Sequence, residues 1–214
     1  MNVWVIDTRA CETGCFVWAA AAAMLLVMLV RRRREIHVQV GWALEEIYAD
    51  NLEERYGELA RHFQVLVFGQ VQLMHLALQS MRQGEGGLII NVTSLASRLP
   101  VPFMAAYNAA KAALASYTMS IQLELENRKV RLVDLQPGDI NTDFNKAIAK
   151  VETNDARVNK IWQFVDRTMK AAPPPELVAR HVLRLIEQAN PPPRITVGDS
   201  FQAVIAPFIF RFLP

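Results

Sequence analysis

"NVTSLASRLPVPFMAAYNAAK", residues 91–111, places Ser94 thirteen residues before Tyr107, with Lys111 four further on. The stretch grows out of "LIINV" at 88–92, an apolar, β-branched run of strand length. Its unbroken hydrophobicity suits a central parallel strand covered on both faces. Residues 108–127 read as a helix rich in alanine and leucine, and "VRLVDLQ" at 130–136 as a second buried strand, closed by Pro137-Gly138. Strand, helix and strand in that order imply a βαβ crossover and a parallel sheet.

Outward from this unit the same alternation continues. Residues 58–83 are apolar on most faces and predict a long, largely buried helix, which "GEGG" ends as glycines end helices. The charged stretch before it, from 42, is helical in pattern with a break near Asp50-Asn51. After "PPP", residues 176–189 predict a helix, and "RITVG" after "NPPP" predicts a last short strand. The C-terminal "FQAVIAPFIFRFLP" is apolar without a clear period and suits a core, oligomer or membrane contact equally.

The first forty residues differ from the rest. Residues 16–30 form an uninterrupted apolar run of fifteen, followed at once by four arginines at 31–34. Fifteen falls short of the roughly 20 residues a spanning helix needs. A signal peptide carries its basic region before the apolar run, not after it. The segment therefore reads either as a short anchor with its C-terminal side in the cytoplasm or as a buried helix with a solvated basic turn. Two units follow: an atypical apolar and basic segment, 1–40, and an α/β domain, 41–214.

Composition narrows the function. The chain of 214 residues has 52% hydrophobic and 21% charged residues, which describes a globular domain rather than a disordered one. A formal charge of +2 gives no reason to expect a nucleic-acid partner. Cys11 and Cys15 make no disulfide framework, and His37, His62, His75 and His181 lack metal-ligand spacing, so no metal site is expected.

Chemistry in a parallel α/β sheet collects at the carboxyl ends of the strands. Ser94 follows the strand at 88–92 and should sit at that edge. Tyr107 and Lys111, four apart on a helix, share one face. An ammonium beside a phenol stabilises the phenolate, which makes the tyrosine a usable proton donor or acceptor. A serine hydroxyl opposite can hold a carbonyl or hydroxyl oxygen. Tyr-x-x-x-Lys alone is common on solvated helix faces. The serine thirteen residues before it and the Pro-Gly after the next strand make the combination far more specific.

"LIINVTSLASRLPVPFMAAYNAAKAAL" resembles the active-site segment of the short-chain dehydrogenase/reductase superfamily, whose pattern is Asn-Val-Ser-Ser, about a dozen residues, then Tyr-x-Ala-Ser-Lys. "VRLVDLQPGDINTDF" resembles the family's next strand and its Pro-Gly-x-x-x-Thr loop. The likeness runs from about 59 to 198. It implies a Rossmann-like parallel sheet flanked by helices and a cofactor that is NAD or NADP. The partner it implies is a small carbonyl or alcohol substrate, and the assembly a homo-oligomer. Ser94 would orient the substrate oxygen, Tyr107 act as acid or base, and Lys111 tune Tyr107 and bind the nicotinamide ribose. Pro137, Gly138, Ile140 and Thr142 would lie along the nicotinamide. A cytoplasmic location is expected, or a membrane anchor at 16–30 with the catalytic segment on the cytoplasmic side.

The departures from the pattern are equally specific. The family's Thr-Gly-x-x-x-Gly-x-Gly, whose glycines let a helix N-terminus approach the pyrophosphate, has no counterpart here. Thr13-Gly14 has no glycine partners downstream, and the Asn-Asn-Ala-Gly strand end is absent too. Ser94 comes only eighty residues after Gly14, too few for two further βαβ turns. The expected reading is a domain whose N-terminal βαβ units are incomplete. Leu66 in "FQVLVFG" stands where the family places an asparagine that holds a proton-relay water. Two functions compete: an NAD(P)-dependent oxidoreductase, its activity impaired, and a non-catalytic relative serving as a binding or oligomerisation module. A serine–lysine hydrolase is disfavoured, because Ser94 and Lys111 are not in a Ser-x-x-Lys arrangement.

Overall fold

A computed structural model of the chain describes residues 35–40, 52–125, 129–142 and 156–210. The apolar run at 16–30, the arginines at 31–34 and the boundary at 40–41 fall outside them or at their edge. No described helix is long and apolar enough to cross a membrane.

Among the described residues, four parallel strands lie side by side in sequence order: β1 (Glu35–Val40), β2 (Gly87–Val92), β3 (Val130–Pro137) and β4 (Arg194–Val197). The strand pair expected at the centre is there. Ile89 stands opposite Leu132 and Asn91 opposite Asp134, and all six residues of β2 are buried. β1 lies in the residues assigned by sequence to the N-terminal segment, yet it pairs with β2 along its whole length.

The alternating side chains of β2 and β3 bind a layer of helices to each face. Leu88, Ile90 and Val92 join Val133, Leu135 and Val197 against Val182 and Leu185 of the helix Glu176–Glu187. Ile89, Val130 and Leu132 meet Met74, Ala77, Leu78 and Met81 of the helix Gln70–Gln83 on the other face. Tyr117 and Ile121 of the helix Ala105–Glu124 complete that layer. In chain order these helices are α1 (Leu52–Phe63), α2 (Gln70–Gln83), α3 (Ala105–Glu124), α4 (Ala156–Ala171), α5 (Glu176–Glu187) and α6 (Ala206–Phe210).

The long helix expected at 58–83 is α1 and α2 joined by a π-helical turn, Gln64–Gly69. It is buried on one face only. Leu66 and Met74 are fully buried, whereas Phe68 and Leu76 are each 57% exposed, so the expectation of a largely buried helix is corrected. Packing covers one stripe of a helix, and the open side here carries Val65, Phe68 and Leu76 among polar residues such as Gln72, His75 and Gln79. Gly86 closes the turn into β2 with φ of 86°. A Cβ there would lie 2.2 Å from the Lys129 carbonyl oxygen, so only glycine fits this crossing.

α4 had no counterpart in the sequence reading. Its Val158 and Trp162 pack on Met104, with Val101, Phe103 and Tyr107 at the margin of the cluster. It forms a wall beside the N-terminal turn of α3. The C-terminal residues 201–210 are helical, with Phe201, Val204 and Phe208 at least 60% exposed.

Candidate active site

β2 ends at Val92, and the chain turns into a short 3₁₀ segment, Leu95–Ser97, capped by Ser94. The Ser94 Oγ accepts a hydrogen bond from the Ala96 amide at 3.1 Å. That uses one lone pair and leaves the hydroxyl hydrogen to donate. The loop that follows is clamped to α3 from both sides. Asn108 Nδ2 donates to the Val101 carbonyl at 2.8 Å, and the Val101 amide donates to Asn108 Oδ1 at 3.3 Å. Between them Phe103 takes φ of 64°, a left-handed conformation that a bulky side chain adopts only where packing holds it. The ring packs in the Met104–Trp162 cluster.

Tyr107 and Lys111 sit one turn apart on α3, as their spacing predicts. Lys111 is 2% exposed. Its Nζ donates to the Val92 carbonyl at 3.2 Å and lies 5.8 Å from the centroid of the Tyr107 ring. Burial lowers the Lys111 ammonium from its ordinary 10.5 to about 8, and the negative charge of Asp134 works against that fall. Lysine bonded to the last carbonyl of β2 fixes the helix against the strand end that carries Ser94. Tyr107 is half-buried, with Leu66, Val67 and Ala110 on one side and the α4 cluster on the other.

Leu66 is fully buried in the π-helical turn and packs with Ala110 and Tyr107. A side chain of that kind can neither donate nor accept a hydrogen bond. The π turn does not replace the asparagine; it sets an apolar residue against the helix that carries Tyr107.

From Pro137, the last residue of β3, the chain runs on through Gly138, Ile140 and Thr142, the other residues expected along the nicotinamide. The Gly138 amide donates to the Val197 carbonyl at 2.8 Å, which ties the loop to the end of β4. Gln202 closes over it. Its Oε1 accepts from the Asp139 amide at 2.9 Å, and its Nε2 donates to Asp139 Oδ2 at 2.6 Å. A Cβ at Gly138 would come within 2.7 Å of that Oε1, so a larger residue here would push the Gln202 amide aside. Ile140 is buried, and the Asn141 amide donates to the Pro173 carbonyl at 2.8 Å, beyond the end of α4. Thr142 closes the described part of the loop.

Sequence reading missed a buried polar network beneath this edge. Asp134 is fully buried on β3 and takes hydrogen bonds from Thr93 Oγ1 (2.5 Å), Gln136 Nε2 (2.7 Å) and Arg194 Nε (2.8 Å). Arg98 donates to Thr196 Oγ1 at 2.9 Å, and burial together with the nearby Arg194 lowers its pKa. One signal was available: a carboxylate flanked by Val133 and Leu135 in a buried strand must find partners.

Buried Lys111 and half-buried Tyr107 thus share one face of α3 at the carboxyl edge of a parallel sheet, with Ser94 just past the end of β2 and Pro137-Gly138 at the end of β3. A family model described as short chain dehydrogenase matches residues 41–153. The chain belongs to that family. It is 25% identical over 156 residues to 3-ketodihydrosphingosine reductase of Bacteroides thetaiotaomicron, an alignment covering 70% of this chain and 58% of that protein. Among solved structures it resembles a short-chain dehydrogenase from Streptomyces avermitilis, with a TM-score of 0.66 and 24% identity over 89% of this chain and 69% of the other. A short-chain dehydrogenase/reductase from Burkholderia phymatum in complex with NAD gives a TM-score of 0.63 and 18% identity, covering 90% and 69%. The matched part spans about half the length of the curated relatives, 58%, 38% and 51% in three of them.

Proposed function

We propose that this chain is the catalytic half of an NAD(P)-dependent oxidoreductase that acts on a carbonyl/alcohol pair. The observation that carries the reading is Lys111, buried, bonded to the last carbonyl of β2 and beside the Tyr107 ring, two residues before Ser94 in the strand it touches. The donor set suits the nicotinamide end of such a cofactor: an ammonium and a phenol on one helix face, next to the loop Pro137, Gly138, Ile140 and Thr142. A bound nicotinamide cofactor supplies the hydride donor or acceptor. Ser94 orients the substrate oxygen with its free hydroxyl hydrogen. Tyr107 gives that oxygen a proton in reduction and takes it in oxidation, and the Lys111 charge steadies the phenolate left behind.

The buried Leu66 favours a second reading, a relative that has given up turnover. No side chain at that place carries a proton toward Lys111, so release of the proton to solvent needs another route. Calorimetric titration of NADH and NADPH into the chain tests the cofactor half of the proposal. Without a glycine-spaced phosphate cradle in its sequence, the 214-residue chain is expected to bind both more weakly than low micromolar, since nicotinamide-side contacts alone must offset the cost of association. Saturation in the low micromolar range would show a phosphate site built from other residues.

The assembly we favour is a homo-oligomer that covers the exposed apolar side chains of the long helix and of α3. Leu59, Phe68 and Leu76 lie on the first, and Met119 and Leu123, the latter 84% exposed, on the second. Sedimentation at micromolar concentration is expected to give a dimer or tetramer. A monodisperse monomer contradicts it.

A further inference from the structure

We propose that Asp134 is a positioning residue of this site, which holds the end of β2 through Thr93 and supplies the negative charge that balances the Lys111 ammonium. The inference rests on the active-site reading above and adds a residue to it. Asp134 stands in the middle of the sheet, opposite Asn91 on β2 and Arg194 on β4. Its two oxygens have separate tasks. Oδ2 faces β4 and its own strand, taking bonds from Arg194 at 2.8 Å and Gln136 at 2.7 Å. Oδ1 faces β2 and takes the Thr93 hydroxyl at 2.5 Å.

Thr93 links the end of β2 to β3. It lies between Val92, whose carbonyl receives the Lys111 ammonium, and Ser94. Its backbone amide also donates to the Leu135 carbonyl at 2.9 Å, so both its main chain and its side chain are tied to β3. A carboxylate present only to pair Arg194 would have no need of Thr93, and the Arg194 side chain is itself a third exposed. The second oxygen is turned toward the site.

The charge follows the same line. Among the described residues, the Tyr107 ring lies beside the Lys111 ammonium on its own helix and the Asp134 carboxylate acts on it from β3, while Arg194 on β4 pairs with Asp134 and Arg98 after β2 lies in the field of both. The π-helical turn brings Leu66 and Val67 to the Tyr107 and Ala110 face of α3, and α4 brings Val158 and Trp162 against Tyr107. Asp134 supplies negative charge to Lys111 from β3. Burial drives Lys111 toward its neutral form, and Asp134 opposes this.

The test reads Lys111 directly, in the full chain without cofactor or substrate. Lysine ¹³Cε signals are titrated by NMR, and the Lys111 signal is identified by its loss in Lys111→Met. Asp134→Asn is expected to lower the Lys111 midpoint by about one pH unit. The same substitution is read again in an Arg194→Gln background, where no guanidinium is left without its carboxylate, and the fall is expected there too. A midpoint within about 0.2 pH unit of its parent in the Arg194→Gln background overturns the proposal, that limit being small beside the shift an adjacent charge produces. Loss of the folded spectrum in both backgrounds overturns it as well, because Asp134 is then a folding residue and nothing more. The titration stands whether or not hydride transfer is detected. A failure of the dehydrogenase reading appears instead as absent turnover with the Lys111 shift intact.

Discussion

Tyr107→Phe is expected to lower the rate of carbonyl reduction by about a thousandfold while leaving the fold intact. General acid catalysis by a positioned side chain contributes typically about 10²–10⁴ in rate, and the phenol is the group proposed to give the proton. The ring of phenylalanine keeps the packing with Leu66, Ala110 and the α4 cluster, so the variant removes an oxygen and nothing larger. Steady-state rates at matched cofactor and substrate concentrations, with unfolding midpoints measured in parallel, check both halves of the expectation. A variant that retains more than a tenth of the wild-type rate would remove Tyr107 from the proton path.

Lys111→Met is expected to trade activity for stability, with a pH signature. Lys111 is buried, and its folded pKa of about 8 lies below the ordinary 10.5. Below pH 8 both folded and unfolded chains carry the proton, and folding must bury the charge. Between about 8 and 10.5 the unfolded chain binds the proton and the folded one does not, so wild-type stability rises with pH through this window. The interval corresponds to about 3 kcal/mol. Methionine carries no charge at any pH. Denaturant unfolding should therefore show the variant's stability advantage falling by about 3 kcal/mol between pH 8 and 10.5. Its turnover should fall with the loss of the cation that steadies Tyr107. A stability difference flat across that window would mean that burial does not perturb Lys111. Sites that hold an uncomfortable charge for chemistry commonly give up stability in this way.

The parts of this fold that could be read from sequence are those in which one stretch of chain carries its own signal. β2, β3 and α3 are such stretches, because "LIINV", "VRLVDLQ" and the alanine-rich helix each have a single dominant pattern. Tyr107 and Lys111 were legible for the same reason, since helical spacing alone puts them on one face. β1 was not, although "EIHVQV" alternates polar and apolar residues strictly, because the run directly follows four arginines and reads with the atypical N-terminal segment. α4 was not, because its meaning comes from Met104, Phe103 and Tyr107 in a loop and helix some fifty residues earlier. The Asp134 network joins Thr93, Asp134 and Arg194, which no local window contains. The π-helical turn at Leu66 was visible as a departure in residue type, whereas its backbone form depends on packing against α3.

The central claim is that Ser94, Tyr107 and Lys111 support hydride transfer between a nicotinamide and a carbonyl carbon. The most direct measurement incubates the chain with millimolar NADH or NADPH deuterated at the transferring C4 position and a panel of aldehydes and ketones, and reads the alcohol products by mass spectrometry. Millimolar cofactor compensates for weak phosphate binding, and the isotope reports even a few turnovers. The account predicts deuterium on the carbinol carbon of at least one product, lost in Tyr107→Phe. Cofactor binding that saturates without deuterium in any product would contradict it and leave the chain a binding module on a dehydrogenase fold.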